Sequence, residues 1–209
     1  MKNIFLLLLI LFSSQFLIAQ SDFNKAIKVE INLVRKYDSV IHKDFLRYEI
    51  EKEQNVINSD SVKVKYFDIS IDVINTSSKP IYLWFMHCSW FDNFEINNDY
   101  MNFDGWGCDK NNPHVKEIKA GDKLNFKIAL NQCIKFDYPS NGTIYGPQVE
   151  YTKLGLIVIG DIYQKESINV FDYDLYMNDK SKRIIIWSNP LKLLEYQSKP
   201  LEIRIPRNK

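Results

Sequence analysis

Alternating apolar and polar residues recur along the chain and predict short β-strands. In the segment 27–33, Ile27, Val29 and Ile31 alternate with polar residues, and a period of two is typical of a half-buried strand. Residues 46–51 fit either a strand or part of a helix through 40–57. Further strand patterns occupy the segments 62–73, 81–90, 115–118, 124–130, 154–162, 184–194 and 201–205. Turn-forming sequences such as NTSSKP and KAGD separate these segments, so the pattern predicts an all-β sandwich of antiparallel strands.

Two irregularities interrupt the alternation. The apolar residues stand at even-numbered positions up to Tyr66 and at odd-numbered positions from Phe67 onward. A β-bulge in this strand, or a crossing of the strand from one sheet to the other, would return its apolar side chains to the core. The second irregularity is Asn189–Pro190, which breaks the last strand and indicates a bulge or an edge.

Residues 81–90 are apolar at both even-numbered and odd-numbered positions. Trp84 and Met86 belong to the even-numbered set, and Leu83 and Phe85 belong to the odd-numbered set. A strand that is apolar on both faces needs cover on both. The sandwich core can cover one face, and we expect residues 91–114 to fold back over the other.

Four sequence blocks together resemble an immunoglobulin-like domain of bacterial secreted proteins. The blocks are FDISIDVINTSSKPIYLWF, EIKAGDKLNFKIAL, LGLIVIGDIY and IIIWSNPLKL, within residues 64–194. They are similar in outline to the family of the Bacillus intracellular proteinase inhibitor, through a strand-Asn-x-Ser-x-x-Pro-strand opening and a glycine turn before an apolar strand. The resemblance implies an immunoglobulin-like β-sandwich. It implies no inhibitory activity, because no inhibitory residue of that family falls on a matching position.

The first residues predict export. Lys2 supplies a positive charge, and the apolar run IFLLLLILF is followed by the small residue Ala19, which is typical of a signal peptide over residues 1–19. The run is shorter than the roughly 20 residues that span a membrane, so we expect no membrane insertion after signal cleavage. We predict an exported protein, periplasmic or extracellular, with a single domain at 20–209. That domain includes an N-terminal strand extension at 20–61 and an aromatic insertion at 91–114.

The charge balance narrows the class of partner. The chain carries 27 basic and 26 acidic residues, for a formal net charge of +1. A net charge this close to zero gives no reason to expect nucleic acid as a partner. We expect an unknown protein or a glycan instead.

The three cysteines, Cys88, Cys108 and Cys133, belong to a chain expected in an oxidising compartment. We predict a disulfide between Cys88 and Cys108, because these two residues flank the aromatic insertion. The pairings Cys108–Cys133 and Cys88–Cys133 stay open, since connectivity cannot be deduced from sequence alone. With the first pairing, Cys133 is a buried free thiol or an intermolecular link.

Two histidines beside the cysteines raise the alternative of a zinc site. His87, Cys88, Cys108 and His114 could together supply two imidazoles and two thiolates. However, neighbouring residues of a strand point to opposite faces, so His87 and Cys88 do not easily share one ion. Export also favours a disulfide over thiolates. We therefore predict no metal and no cofactor.

Aromatic residues concentrate between positions 82 and 106. One interpretation is core filling with a lid packed on it. The other is an exposed stacking platform formed by Trp90, Tyr100 and Trp106, in or beside the insertion, on which a sugar or a protein could dock. These three residues are the candidate partner surface.

The sequence contains no G-x-S-x-G, H-E-x-x-H or P-loop motif, so we predict that the protein is not an enzyme. The predicted function is an exported, non-enzymatic binding or interaction module of the cell envelope. One alternative is a glycan-acting hydrolase that uses Asp172 and Asp174 on one strand face. The other is a protease inhibitor-like domain with a protruding loop at 137–150.

Overall fold

The computed structural model describes residues 23, 25–42, 61–98, 100–105, 107–108, 111–132, 134–136, 143–145 and 149–193. Several predictions fall outside these residues. They are the signal peptide at 1–19, the strand or helix at 46–51, Trp106, Cys133, the strand at 201–205 and most of the loop at 137–150. No helix in the described ranges is long and apolar enough to cross a membrane.

Strands are the main regular structure of the described chain. The strands are β1 (Ile27–His42), β2 (Ser61–Asn75), β3 (Ile81–Met86), β4 (Phe94–Ile96), β5 (Met101–Asp104), β6 (Pro113–Ile118), β7 (Lys123–Gln132), β8 (Ile134–Phe136), β9 (Thr143–Tyr145), β10 (Leu154–Ile159) and β11 (Arg183–Trp187). A short helix, α1 (Tyr173–Asn178), lies between β10 and β11. The prediction of an all-β antiparallel sandwich is confirmed, and its immunoglobulin-like character stays a prediction.

Two layers of antiparallel strands enclose the core. The first layer is a four-stranded sheet in the order β1-β2-β7-β5, so the strand of the N-terminal extension is a full member of a sheet. The second layer contains the sheet β11-β10-β4 and the pair β3-β6. The N–H of Tyr82 joins these two parts by donating to the carbonyl oxygen of Ile162, 2.7 Å away.

The main core lies between the layers and follows the predicted alternation. Ile27, Val29 and Ile31 of β1 point inward, and their polar neighbours point outward. Strand β2 contributes every second residue from Phe67 to Val73 in the same way. Period-two patterning therefore accounts for this layer, because each inward side chain meets one from the opposite layer.

The bulge or sheet crossing predicted for the strand at Tyr66 and Phe67 does not occur there. Strand β2 pairs with β7 without interruption from Tyr66 to Ile74, so β2 itself neither bulges nor crosses. The register shift lies in the partner strand β1, between Leu33 and Arg35. Phe67 enters the main core, whereas Tyr66 lies on the opposite face and stacks on Tyr37 with ring centroids 5.3 Å apart.

The turn between β2 and β3 carries the chain from one layer to the other, and Asn75 organises it. Its side chain is fully buried. Its Nδ2 donates to the carbonyl oxygens of Lys79 and Ile118, and its Oδ1 accepts from the N–H and hydroxyl of Ser77. The backbone of Asn75 also accepts from Gly121, whose φ of 78° forms the predicted glycine turn before β7. The Asn-x-Ser sequence is therefore a structural connector between the layers.

A second apolar cluster lies outside the sandwich, on the far face of β3 and β10. Their inward side chains enter the main core, whereas Trp84 and Ile157 point away from it. The cover on this far face comes from residues 160–182, here called the β10–β11 excursion, which contributes Ile168 and Tyr173. The prediction that residues 91–114 cover this face is therefore wrong for Trp84 and Met86.

Asn189 fastens the edge of one layer to the edge of the other. Its Nδ2 donates to the carbonyl oxygen of Ile31, and its Oδ1 accepts from the N–H of the same residue, both at 2.9 Å. The side chain thus makes the two hydrogen bonds that a neighbouring strand would make to the edge of β1. The predicted break at Asn189–Pro190 forms this contact, and the chain then returns to β10 through the bond from Leu191 N–H to Thr152 O.

Candidate functional site

The aromatic insertion is tied at its base by a disulfide between Cys88 and Cys108. Their Cα atoms lie 5.7 Å apart, and the bond closes a loop of 20 positions. The predicted disulfide-tied insertion is confirmed, and both rival pairings would break this bond. Closure of a loop of this length restricts the unfolded chain, which stabilises the fold by about 3 kcal/mol in the chain-entropy model.

A polar clamp beside the disulfide holds the start of the insertion. The Oδ1 of Asn111 accepts from the N–H groups of Cys88 and Ser89, at 3.0 and 3.2 Å. Its Nδ2 donates to the buried hydroxyl of Ser89, which in turn donates to the carboxylate of Asp92. The two ends of the insertion are therefore joined by hydrogen bonds as well as by a covalent bond.

Trp90 packs against the main core instead of standing out from the insertion. Its ring stacks on Phe126 with centroids 4.6 Å apart and meets Phe94 edge-on. Trp90 and Tyr100 are both half-buried, and Trp106 lies outside the described residues. The packing of Trp90 fits the interpretation of an aromatic lid, and the role of the three residues as a partner surface stays a prediction.

Asn93 connects the insertion, β3 and α1 from a fully buried position. Its Oδ1 accepts from the N–H of Met86, and its Nδ2 donates to the carbonyl oxygen of Trp84. The same Oδ1 accepts from the hydroxyl of Tyr173 at 2.9 Å. Burial raises the pKa of the Tyr173 phenol above its ordinary value, so the hydroxyl remains a donor at neutral pH.

The two histidines near the disulfide lie close together, but the thiolates of the proposed zinc set are used in the disulfide. The rings of His87 and His114 have centroids 5.6 Å apart. Among the described residues, neither ring nitrogen of His114 has a hydrogen-bond partner. Burial lowers the pKa of His114, and the neighbouring Lys116 and His87 lower it further.

Asp172 and Asp174 do not share a strand face, so that part of the hydrolase hypothesis is wrong. Asp172 directly precedes α1, and Asp174 lies in its first turn. The Asp172 carboxylate accepts a hydrogen bond from the Nδ2 of Asn169. The sequence FDYDLYM carries only a weak signal of the helix, in which Tyr173, Tyr176 and Met177 have the spacing of one helical face.

The β10–β11 excursion carries a concentration of exposed large apolar side chains. Of the eight exposed large hydrophobic residues in the described part of the chain, four lie between positions 163 and 175. They are Tyr163, Val170, Phe171 and Leu175, and Phe171 is 91% exposed. Sequence analysis missed this surface because the segment is polar on average. Contiguous exposed apolar patches are typical of docking surfaces, and these four side chains are close enough in sequence to be candidates for such a patch.

A cleft of about 540 Å³ opens beside the excursion. Two aromatic side chains, Trp84 and Tyr176, contribute to its walls. Its polar lining includes Lys165, Glu166 and Asp172, and none of these three forms an ion pair with another described residue. None of the four exposed apolar side chains lines this cleft, so the two surfaces are separate.

A larger groove of about 900 Å³ runs between the edges of β1 and β11. Residues 27–33 line one side, and Trp187 and Asn189 line the other. The hydrogen bonds of Asn189 to Ile31 cross this groove. These two hydrogen bonds link the edge of β1 to the segment that follows β11.

Comparisons with known proteins do not identify a family. No protein-family model matches the chain, and no curated protein matches it. Among solved structures, the chain is similar to a FixG-related protein from Vibrio parahaemolyticus, with 12% identity over 76% of this chain and 97% of that chain. The TM-score is 0.25, so this similarity carries no argument about fold or function. The resemblance to the Bacillus intracellular proteinase inhibitor family gains no support and stays a prediction.

Proposed function

We propose that the protein is an exported, non-enzymatic binding module of the cell envelope that docks on a partner protein through Val170, Phe171 and Leu175. The observation that carries the proposal is the 91% exposure of Phe171. A solvent-exposed phenyl ring offers a large apolar area that a partner can bury. Burial of such a side chain stabilises a complex by about 1.5–3 kcal/mol.

The support beneath these side chains is rigid, which favours docking over unspecific contact. Helix α1 is held from below by Tyr173, whose hydroxyl donates to the buried Asn93 beside β3. Arg183 donates to the carbonyl oxygen of Met177 and pairs with the carboxylate of Glu95 at 2.6 Å. A preorganised surface loses little conformational entropy when it binds.

Two observations support export. The disulfide between Cys88 and Cys108 is of the kind that persists in oxidising compartments. The N-terminal sequence has the charge and apolar core of a signal peptide. The placement of Asp172 and Asp174 at the start of a helix supports a non-enzymatic role, because the carboxylates lack the shared face that the hydrolase hypothesis required.

A sedimentation experiment with isolated envelopes of the producing cell tests the proposal. The mature protein is expected to sediment with untreated envelopes but not with protease-treated ones, because the partner is a protein. The double variant Phe171→Ser and Leu175→Ser should weaken this binding by about tenfold or more, given the apolar area lost.

The matched control is Tyr151→Ser, which removes another strongly exposed ring, 67% accessible, far from α1 in sequence. This variant should sediment like the unmodified protein, and all variants should have the same melting temperature. Absence of binding to untreated envelopes would overturn the proposal, as would full binding by the double variant.

A further inference from the structure

We infer that the cleft between Trp84 and Tyr176 is a second binding site, and that its ligand is a short neutral oligosaccharide. The inference goes beyond the proposed docking function, because the exposed apolar side chains of the excursion do not line this cleft. The cleft volume of about 540 Å³ falls within the range of roughly 300–1,000 Å³ that is usual for small-ligand sites.

The aromatic lining fits the less polar face of a sugar ring. Trp84 and Tyr176 are both half-buried and both line the cleft. Sugar rings expose a face of C–H groups that stacks on aromatic rings, and such stacking removes apolar surface from water on both partners. A ligand without such a face would leave this part of the lining in contact with water.

The polar lining fits hydroxyl groups better than it fits an ion. Lys165 offers hydrogen-bond donors, whereas Glu166 and Asp172 offer acceptors. A hydroxyl group donates and accepts, so one sugar can satisfy both kinds of group. The mixed charges disfavour a strongly anionic or cationic ligand, because either would meet a like charge at short range.

The floor of the cleft is preformed. The Oδ1 of Asn169 accepts from the N–H groups of Phe171 and Asp172, at 2.9 and 3.1 Å, which fixes the turn before α1. Gly160 begins the excursion with a φ of 70°, and a side chain there would overlap the hydroxyl of Ser167. Groups held in this way lose little freedom when a ligand binds.

Calorimetric titration of the mature protein with three trisaccharides, chitotriose, cellotriose and maltotriose, tests the inference. At least one is expected to bind, and to shift the amide NMR signals of residues 165–169. Lys165→Met and Asp172→Asn should each weaken that binding about tenfold, because each removes a hydrogen bond to a charged group.

Two matched variants, Lys180→Met and Asp174→Asn, make the same chemical changes on the excursion but outside the cleft. They should leave sugar affinity unchanged, as should the Phe171→Ser and Leu175→Ser variant. Absence of binding by all three trisaccharides would overturn the inference, as would unchanged affinity in both cleft variants. Sedimentation with envelopes would still report on the docking function separately.

Discussion

The hydroxyl of Tyr173 donates a hydrogen bond to the Oδ1 of Asn93, 2.9 Å away and 80 positions distant in sequence. This bond joins α1 to the base of the disulfide-tied insertion through a residue that also completes the hydrogen bonding of β3. The side chain of Asn93 thus bonds the carbonyl oxygen of Trp84 and the N–H of Met86, as the backbone of a neighbouring strand would. The position of α1, and with it both proposed binding surfaces, depends on this contact.

Replacement of Asn93 by alanine should lower the free energy of unfolding by about 3 kcal/mol, because several buried polar groups lose their partners. Tyr173→Phe should cost only about 1 kcal/mol, since it removes one hydrogen bond and leaves the bonds of Asn93 to β3 intact. Urea denaturation followed by fluorescence measures both changes. Tyr163→Phe, at an exposed tyrosine of the same excursion, is the control, and equal losses for Asn93→Ala and Tyr163→Phe would contradict the prediction.

Removal of the disulfide should destabilise the protein without changing its fold. The double variant Cys88→Ser and Cys108→Ser should lose about 3 kcal/mol of unfolding free energy. Denaturation in guanidinium chloride measures the loss, and Cys133→Ser is the matched single-cysteine control, which should keep the disulfide. A non-reducing peptide map that pairs Cys88 with Cys133 would refute the assignment.

Acidification should destabilise the protein partly through His114. Its pKa in the folded state lies below the ordinary histidine value of about 6.5, so the unfolded chain binds the proton more readily. The contribution of His114 to the free energy of unfolding is therefore fully present above about pH 6.5, and it is lost as the pH falls through the pKa of the folded state. His114→Gln should lose less unfolding free energy than the unmodified protein between pH 7.5 and pH 5.

Unfolding curves at the two pH values measure this difference. His42→Gln is a suitable control, because His42 lies at the exposed end of β1 and belongs to a different sheet from His114. The explanation fails if His114→Gln and His42→Gln respond equally to acid.

Loss of the Asn189 side chain should loosen the edge of β1. Asn189→Ala removes two hydrogen bonds to Ile31, with an expected cost of about 1–3 kcal/mol. Hydrogen exchange should then be faster at the Ile31 amide, whose partner is the Oδ1 of Asn189. Asn189→Asp retains that acceptor and should protect the amide better than alanine does, so equal exchange in the two variants would count against this role.

The sandwich could be predicted because its signals are local in sequence. Alternation in β1 and β2 directly reports which side chains face the core, and the Asn75 turn has a recognisable sequence. The bulge could not be placed from one strand alone, because register is a property of a pair and the irregularity lies in β1, opposite Asp68 and Ile69 of β2.

The candidate site was harder to predict, because exposure and cover depend on distant residues. Trp90 and Phe171 are both aromatic residues beside polar ones, yet one packs on Phe126 and the other is open to solvent. Helix α1 has only six residues, too few for its periodicity to stand out from a polar segment. The roles of Asn93 and Asn189 could not be predicted from the sequence. A single side chain that bonds the edge of a strand leaves no periodic pattern along the chain.

The contact between Asn189 and β1 also bears on how the protein ages chemically. Asparagine side chains deamidate when the backbone nitrogen of the next residue attacks them and closes a succinimide ring. The next residue here is Pro190, whose nitrogen carries no hydrogen and cannot react in this way. Asn141, by contrast, is followed by Gly142, the neighbour that hinders the attack least. The asparagine that fastens the two layers is therefore protected from the succinimide route by which asparagines are most often lost.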